Sequence, residues 1–173
     1  LDYFNKITKG GLPKKTLNVA LAGTGVGKSL FMCHVAGSCL MQGKNVLYIT
    51  MEMAEERIAE RIDANLLELS MESLKMVERR VYDSRIEKIK AKTHGKLIVK
   101  EYPTKAASVS TLRSHLDKLR SFGTKVDMII VDYADLLKPK KSYTEKRHDL
   151  ESIYEDLRGL AKEFECPVWT CSQ

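Results

Sequence analysis

The feature that most constrains this chain is a glycine-rich segment, residues 22–29, that stands between an apolar run and a stretch of helical periodicity. Glycines let successive backbone N–H groups turn inward around a phosphate, a lysine reaches the outer phosphate oxygens, and a hydroxyl ligates Mg²⁺. A following helix adds the positive end of its dipole to the same anion. We therefore predict a loop that binds a nucleotide phosphate. Its members are Ala22, Gly23, Thr24, Gly25, Val26, Gly27, Lys28 and Ser29.

The first position of this loop departs from the usual motif, because Ala22 stands where glycine is normally found. The competing interpretation is a glycine-rich turn between a strand and a helix that binds nothing. The Lys28-Ser29 pair at the start of a predicted helix favours the nucleotide interpretation, with Lys28 on the phosphates and Ser29 on the metal.

Composition limits the class of protein. A length of 173 residues, with 43% hydrophobic and 30% charged residues, is typical of one globular domain. No apolar run is long enough to cross a bilayer and no signal peptide is recognisable, so we expect a cytoplasmic protein. A net charge of +6 is compatible with a polyanionic partner but does not require one. The chain begins without Met and stops just after a strand-like run, from which we expect a partial domain.

Cysteine and histidine spacing bears on metal sites. The four cysteines form no Cys-x-x-Cys pair and the four histidines are scattered. The sequence therefore suggests neither a zinc site nor a disulfide framework, and we expect reduced, mostly buried thiols.

Strand-like apolar runs alternate with segments of helical periodicity along the chain. The predicted strands are residues 16–22, 44–50, 96–101, 128–132 and 167–170. The predicted helices are residues 29–42, 54–69, 109–121 and 149–165, with residues 71–92 as a charged helical hairpin or arm. Because the strands are apolar without alternation, we predict an α/β fold with a mostly parallel twisted sheet and helices on both faces. Ligands bind such sheets at the carboxyl ends of the strands.

Asp132 ends one of these strands, at the edge where a ligand is expected. It is a candidate Walker B aspartate that holds Mg²⁺ through the water shell of the ion, with Ser29 as the direct ligand. The alternative is an aspartate that only caps the strand end.

Hydrolysis also needs a base that orients the attacking water. Many ATPases carry an acid directly after the Walker B aspartate, but this chain has Tyr133. Glu52, just past the strand ending near Thr50, is the candidate base, and a solvated glutamate at a helix start is the alternative. Gln173 follows the last strand, where its amide could bond a γ-phosphate or could simply be exposed.

A positively charged segment lies between the Asp132 strand and the last predicted helix. Its cations could follow a nucleic-acid backbone through phosphate contacts, with a base stacked on Tyr143. A charge run is more often a solvated loop, and the residues alone leave both interpretations open. The candidate DNA-binding residues are Lys138, Lys140, Lys141, Lys146 and Arg147.

Taken together, these segments resemble the hexameric replicative DNA helicases of the DnaB family, which have a RecA-like ATPase core, and among them the T-even phage type. The resemblance covers nearly the whole chain. It is specific because an alanine-initiated loop, a Met-Glu-Met after the second strand and an Asp-Tyr pair at the Walker B position occur together in that family. The matching segments are residues 5–11, 16–19, 22–23, 26–29, 48–49, 51–56, 61–65, 97–100, 130–133 and 169–173.

The resemblance implies a P-loop NTPase that uses ATP and Mg²⁺ to translocate on single-stranded DNA and unwind duplex. It implies Glu52 as catalytic base, Gln173 as γ-phosphate sensor, and residues 138–147 as the first DNA-binding loop. It also places the Gln173 strand between the phosphate-loop strand and the Asp132 strand.

For the full-length protein the resemblance implies a homohexamer, primase and a helicase loader as partners, and a bacterial host cytoplasm if the protein is phage-encoded. Residues 1–173 would then be a C-terminally truncated ATPase core. The primase-interacting region, the second DNA loop and the arginine finger of the family are not in this sequence. The isolated chain is therefore expected to hydrolyse ATP poorly.

Two other classes of function remain open on the sequence. One is a RecA or KaiC-like ATPase in recombination or regulation, whose loop would more often begin with glycine than with Ala22. The other is a nucleotide-switched loader module without catalysis, whose usual acidic pair at the Walker B position differs from Asp132-Tyr133.

Overall fold

A computed structural model of the chain describes residues 6–9, 11–93, 95–141 and 145–173. Its centre is a five-stranded sheet in which every neighbouring pair of strands is parallel. The strands are β1 (Leu17–Leu21), β2 (Val46–Thr50), β3 (Leu97–Glu101), β4 (Met128–Asp132) and β5 (Val168–Ser172). The five predicted strands and the parallel α/β sheet are confirmed.

The helices follow the predicted order with small differences at their ends. They are α1 (Lys28–Met41), α2 (Glu55–Leu66), α3 (Met71–Met76), α4 (Arg79–Thr93), α5 (Val109–Ser121) and α6 (Lys146–Glu163), with a 3₁₀ turn at Ala134–Leu136. Within the described residues, no helix combines the length and apolar character needed to span a membrane.

Two helix ends differ from the prediction for clear physical reasons. α6 begins at Lys146 rather than Asp149, because Asp149 lies inside the first turn, where an acid suits the helix dipole, and does not mark the first residue. α2 ends at Leu66 rather than near Leu69, because Glu68 takes a left-handed φ of 55° that a helix cannot continue through.

The strand order is β1-β5-β4-β2-β3. The implied position of the Gln173 strand, between the phosphate-loop strand and the Asp132 strand, is therefore confirmed. Leu21 is level with Ser172 and Thr50 is level with Asp132. Since parallel strands end at one edge of the sheet, this register brings the residues that follow β1, β2, β4 and β5 together.

Apolar clusters cover both faces of the sheet, as predicted. α1 and α2 pack on one face through buried residues such as Met32, Ala36 and Ile58. α5 and α6 pack on the other face through Val109, Leu112, Leu116, Ile153, Leu157 and Leu160. All five residues of β2 are buried, so its lack of alternation follows from helices on both sides.

The charged segment after α2 is an arm of two successive helices. Ser70 caps α3 by accepting the Ser73 N–H at 3.0 Å. The Tyr82 hydroxyl of α4 donates to an Asp63 carboxylate oxygen of α2. α3 has no buried residue and Met76 is 87% exposed, so α3 packs sparsely on the domain, whereas α4 buries Ile86 and Thr93.

The two outer strands of the sheet differ at their edges. Beside β3, the Glu101 N–H donates to a Glu55 carboxylate oxygen at 2.9 Å, so a side chain occupies this backbone donor. At the other end of the strand order among the described residues stands β1, with Leu21 77% and Val19 39% exposed. An outer strand with exposed apolar side chains offers a surface for further pairing.

Candidate nucleotide-binding site

The phosphate-loop backbone has the conformation that its glycines predict. Gly25 has a φ of 75° and Gly27 a φ of 98°, both in the left-handed region that costs other residues about 1–2 kcal/mol. Ala22 is not among the described non-glycine residues with positive φ. Its Cβ therefore causes no backbone strain, which explains how alanine replaces the first glycine of the motif.

Lys28 lies over the loop that precedes it. Its Nζ donates to the carbonyl oxygens of Ala22 at 3.0 Å and Gly23 at 3.2 Å. The same Nζ is 5.7 Å from the centre of the Tyr133 ring. The Ala22 N–H donates to the Ser172 carbonyl oxygen at 3.3 Å, so the end of β5 holds the start of the loop.

Glu52 lies in a turn that the end of β2 fixes. The Thr50 hydroxyl donates to the Met53 carbonyl oxygen at 2.8 Å and accepts the Met53 N–H at 3.2 Å. The Met51 N–H donates to the Asp132 carbonyl oxygen at 3.2 Å. The turn therefore holds the exposed Glu52 beside the end of β4.

Asp132 is 4% exposed at the end of β4. One carboxylate oxygen accepts the Tyr48 hydroxyl at 2.8 Å, and the other accepts the Cys171 thiol at 3.4 Å. Burial, followed by the charge of Asp132, raises the pKa of both Tyr48 and Cys171 well above their usual values. Both groups therefore stay protonated at neutral pH and act as donors.

Gln173 follows β5 and its amide donates to the Tyr133 hydroxyl at 3.4 Å. Burial, followed by the charge of Glu52, raises the pKa of Tyr133. Tyr133 therefore stands among Lys28, Glu52 and Gln173 at the carboxyl edge of the sheet.

One open cavity of about 360 Å³ brings most of the predicted residues together. Three loop members do not line it: Ala22 and Gly23, whose carbonyls bond Lys28, and Val26, which is 71% exposed. The predicted residues that line the cavity are Thr24, Gly25, Gly27, Lys28, Ser29, Glu52, Asp132 and Gln173.

The oxygen ligands in this cavity suit a magnesium ion that binds mainly to nucleotide phosphates. Ser29 offers a hydroxyl and Asp132 a carboxylate, and Mg²⁺ in such sites takes one or two protein ligands beside phosphates and waters. No group of three or more His, Cys, Asp or Glu side chains arranged for a metal occurs in the part of the chain that the structure describes.

Sequence reasoning missed four residues that line the cavity, Leu30, Met53, Arg61 and Tyr133. Arg61 follows Ile58 on α2 by one helical turn, but periodicity identifies the buried face of a helix and not the flank that meets a ligand. Tyr133 carried a usable signal, because it directly follows Asp132.

The basic segment, residues 138–147, is held in place at its start. Lys105 Nζ donates to the carbonyl oxygens of Asp135 at 2.6 Å and Leu137 at 2.9 Å. The Lys138 N–H donates to the Ala107 carbonyl oxygen at 2.8 Å. The base-stacking candidate Tyr143 lies outside the described residues.

The five predicted cations of this segment are all exposed. Lys138, Lys140 and Lys141 follow the 3₁₀ turn, whereas Lys146 and Arg147 open α6. Within the described ranges, none of the five forms an ion pair with a carboxylate. Their charges are therefore available to a solvent-side anion.

Comparison with known proteins decides the family. Residues 1–173 match the family described as the DnaB-like helicase C terminal domain. The chain belongs to this family. The DnaB-like replicative helicase of Enterobacteria phage T4 is 45% identical over 180 residues, which cover 100% of this chain and 38% of that protein. A probable plasmid replicative DNA helicase of Chlamydia psittaci is 32% identical over 157 residues, 90% of this chain and 34% of that protein.

Solved structures have the same fold. One of them, described as an ATPase domain, superposes with a TM-score of 0.80 at 18% identity, covering 99% of this chain and 61% of that one. A DnaB-like replicative helicase, solved in a study of its interactions with primase, gives a TM-score of 0.79 at 18% identity, over 100% of this chain and 42% of that one. The predicted RecA-like fold is confirmed, and the chain spans little more than a third of the T4 and Chlamydia relatives.

Proposed function

We propose that residues 1–173 are the ATP-hydrolysing core of a replicative DNA helicase, which uses ATP and Mg²⁺ to translocate on single-stranded DNA and separate duplex. The observation that carries this proposal is the single cavity that gathers the phosphate loop, Glu52, Asp132 and Gln173. Family membership supports it, since the relatives named above are replicative helicases.

Each side chain has one task in this mechanism. The loop N–H groups and Lys28 bind the phosphates, and Lys28 exchanges its bonds to loop carbonyls for phosphate oxygens. Glu52 takes a proton from the attacking water. Gln173 leaves the Tyr133 hydroxyl to donate to the γ-phosphate, and so senses its loss. Ser29 and Asp132 hold the Mg²⁺, which neutralises phosphate charge when bound.

The basic segment supplies the DNA contacts in this proposal. Lys146 and Arg147 stand at the positive end of the α6 dipole, where a cation costs about 0.3–1 kcal/mol rather than stabilising the helix. Helix stability therefore does not explain these two cations, which supports a polyanion as their partner. Lys138, Lys140 and Lys141 extend the same charge along the anchored start of the segment.

For the whole protein we propose a homohexamer in a cytoplasm, with primase and a helicase loader as partners. The sequence likeness to the T4 replicative helicase supports this assembly. A structural neighbour is described with its interactions with primase, which supports a primase partner.

The test is ATP turnover by the full-length protein, with and without single-stranded DNA, together with its mass in solution. We expect a hexamer whose turnover DNA stimulates. Glu52→Gln should keep ATP binding and lower turnover by about 10²–10⁴-fold, because the isosteric amide cannot accept the proton. Glu56→Gln, at a neighbouring glutamate of α2, is the matched control.

Other outcomes redirect the proposal. Turnover indifferent to DNA, or no assembly with nucleotide, favours a KaiC-like regulatory ATPase or the loader module. ATP binding without turnover favours a nucleotide-switched loader module. Normal turnover in Glu52→Gln contradicts the role of Glu52 as base.

A further inference from the structure

A buried chain of hydrogen bonds crosses the sheet behind the nucleotide cavity. The Cys33 thiol of α1 donates to the Tyr48 oxygen at 3.9 Å, within reach for sulfur, and the Tyr48 hydroxyl donates to Asp132 at 2.8 Å. The Cys171 thiol of β5 donates to the other Asp132 oxygen at 3.4 Å. Tyr48 and Cys171 are 0% exposed and Cys33 is 1% exposed. The four groups therefore form one buried network.

The donors fix the plane of the Asp132 carboxylate. Rotation about the last bond of an aspartate is broad when nothing holds its oxygens. Here each oxygen accepts one donor, and the donors come from the two strands on either side of β4. Because a carboxylate oxygen has two acceptor positions, one on each oxygen remains for groups in the cavity.

Proton direction along the network is consistent. The Tyr48 oxygen accepts from Cys33, so its own proton is directed to Asp132. Cys171 has a single carboxylate acceptor at 3.4 Å. Groups behind a carboxylate that binds a metal commonly set its affinity for the ion, since they fix its orientation.

We propose that Tyr48 and Cys171 are positioning residues that set the magnesium affinity of the nucleotide site through Asp132. The inference rests on the proposed function, because it takes Asp132 as the residue that holds the ion. The pair also connects the site to its neighbours, since β2 leads to Glu52 and β5 leads to Gln173.

The experiment measures binding of a fluorescent, non-hydrolysable ATP analogue to the full-length protein, first in EDTA and then during a Mg²⁺ titration. Tyr48→Phe keeps the ring and removes the hydroxyl, and Cys171→Ala removes the thiol. We expect the half-saturating Mg²⁺ concentration to rise about tenfold in Tyr48→Phe, with binding in EDTA unchanged. Cys171→Ala should give a smaller rise, since a thiol is a weak donor, and Cys171→Ser should return the value toward that of the parent.

Two variants control for the loss of a buried group. Tyr82→Phe removes a hydroxyl bond to Asp63 in the packing of α4 on α2. Cys166→Ala removes a buried thiol on the opposite face of the sheet. Both should leave the half-saturating Mg²⁺ concentration unchanged, and melting temperatures verify that all variants fold.

The outcomes separate the inference from the proposed function. An unchanged Mg²⁺ requirement in folded Tyr48→Phe and Cys171→Ala overturns the inference, and so does an equal loss of nucleotide binding with and without Mg²⁺, which indicates packing alone. A parent protein whose nucleotide binding ignores Mg²⁺ overturns the proposed function as well.

Discussion

The four thiols are buried in the two apolar clusters that cover the sheet, Cys33, Cys39 and Cys171 on one face and Cys166 on the other. The expectation of mostly buried thiols is confirmed. Burial raises the pKa of Cys33 and Cys39 to about 11 and that of Cys166 to about 12, from an ordinary value of 9.0. The native protein therefore keeps these thiols protonated well above neutral pH.

These raised pKa values make stability fall at alkaline pH. The unfolded thiols ionise near pH 9 and the folded ones only near 11 to 12, so the stabilisation is complete below 9 and is lost as pH rises through that window. Each thiol contributes a slope of at most about 1.4 kcal/mol per pH unit. Denaturant titrations from pH 7 to 11 should show the decline, and Cys166→Ala should show a shallower one. An identical slope in that variant would contradict the assignment.

Residues tied to a motif and to a strand end could be predicted, and residues tied to tertiary packing could not. The positions of Glu52, Asp132 and Gln173 at one site could be predicted because the carboxyl ends of parallel strands meet at one edge of the sheet. The position of Arg61 could not, since its place in the cavity depends on how α2 rotates over the sheet. The two hydrogen-bond donors to Asp132 could not be predicted either, because Tyr48 and Cys171 occupy apolar strands whose sequence gives no sign of a polar contact.

At the scale of elements, two glycines show opposite constraints. A Cβ on Gly95, between α4 and β3, would lie 2.6 Å from the Lys44 carbonyl oxygen and 2.9 Å from that of Leu40. A Cβ on Gly159, within α6, would meet nothing within 4 Å. The connection before β3 is therefore packed closely against the C-terminal end of α1, whereas α6 has open space at its glycine.

This contrast predicts opposite effects of the same substitution. Gly95→Ala should destabilise by about 1–3 kcal/mol, because the clashing atoms belong to the backbone and cannot turn away. Gly159→Ala should stabilise by about 0.5–1 kcal/mol, because alanine favours the helix and fits. Urea unfolding of both variants beside the parent measures the difference. A Gly95→Ala variant that is not destabilised would contradict the close packing at Gly95, and a Gly159→Ala variant that is not stabilised would contradict the open space at Gly159.

Elements with strong apolar patterning were predictable, and their ends were less so. β2 and β4 were recognisable as continuous apolar runs because both faces of the sheet are covered. The break between α3 and α4 was not, since it falls at Val77, an extended residue that no glycine or proline marks, and the Tyr82 bond to Asp63 depends on tertiary geometry.

At the scale of the whole molecule, one carboxylate joins the nucleotide cavity to the basic segment. Asp135 accepts the Ser172 hydroxyl at 3.3 and 3.1 Å and the Tyr154 hydroxyl of α6 at 2.9 Å. Ser172 directly precedes Gln173, and α6 begins with Lys146. In the proposed function, in which Gln173 senses the γ-phosphate, Asp135 therefore links the strand that precedes Gln173 to the helix that begins with Lys146 and Arg147.

Ser172→Ala should weaken this connection. We expect the ratio of DNA-stimulated to basal ATP turnover in the full-length protein to fall about fivefold, the lower end of the coupling usually found between two sites. Ser121→Ala removes a hydroxyl bond to the Lys118 carbonyl at the end of α5 and serves as control. Steady-state turnover with and without single-stranded DNA gives both ratios, and an unchanged ratio in Ser172→Ala would show that the route carries no coupling.

The exposed apolar side chains of β1 affect how residues 1–173 behave during purification. Leu21 and Val19 leave the outer strand apolar, whereas the side chain of Glu55 protects the opposite edge. Mutual repulsion from a net charge of +6 keeps copies of this segment apart, and added salt screens that repulsion. Raising the ionic strength during purification, a routine step against adhering nucleic acid, is therefore expected to increase association of residues 1–173 through these strand edges.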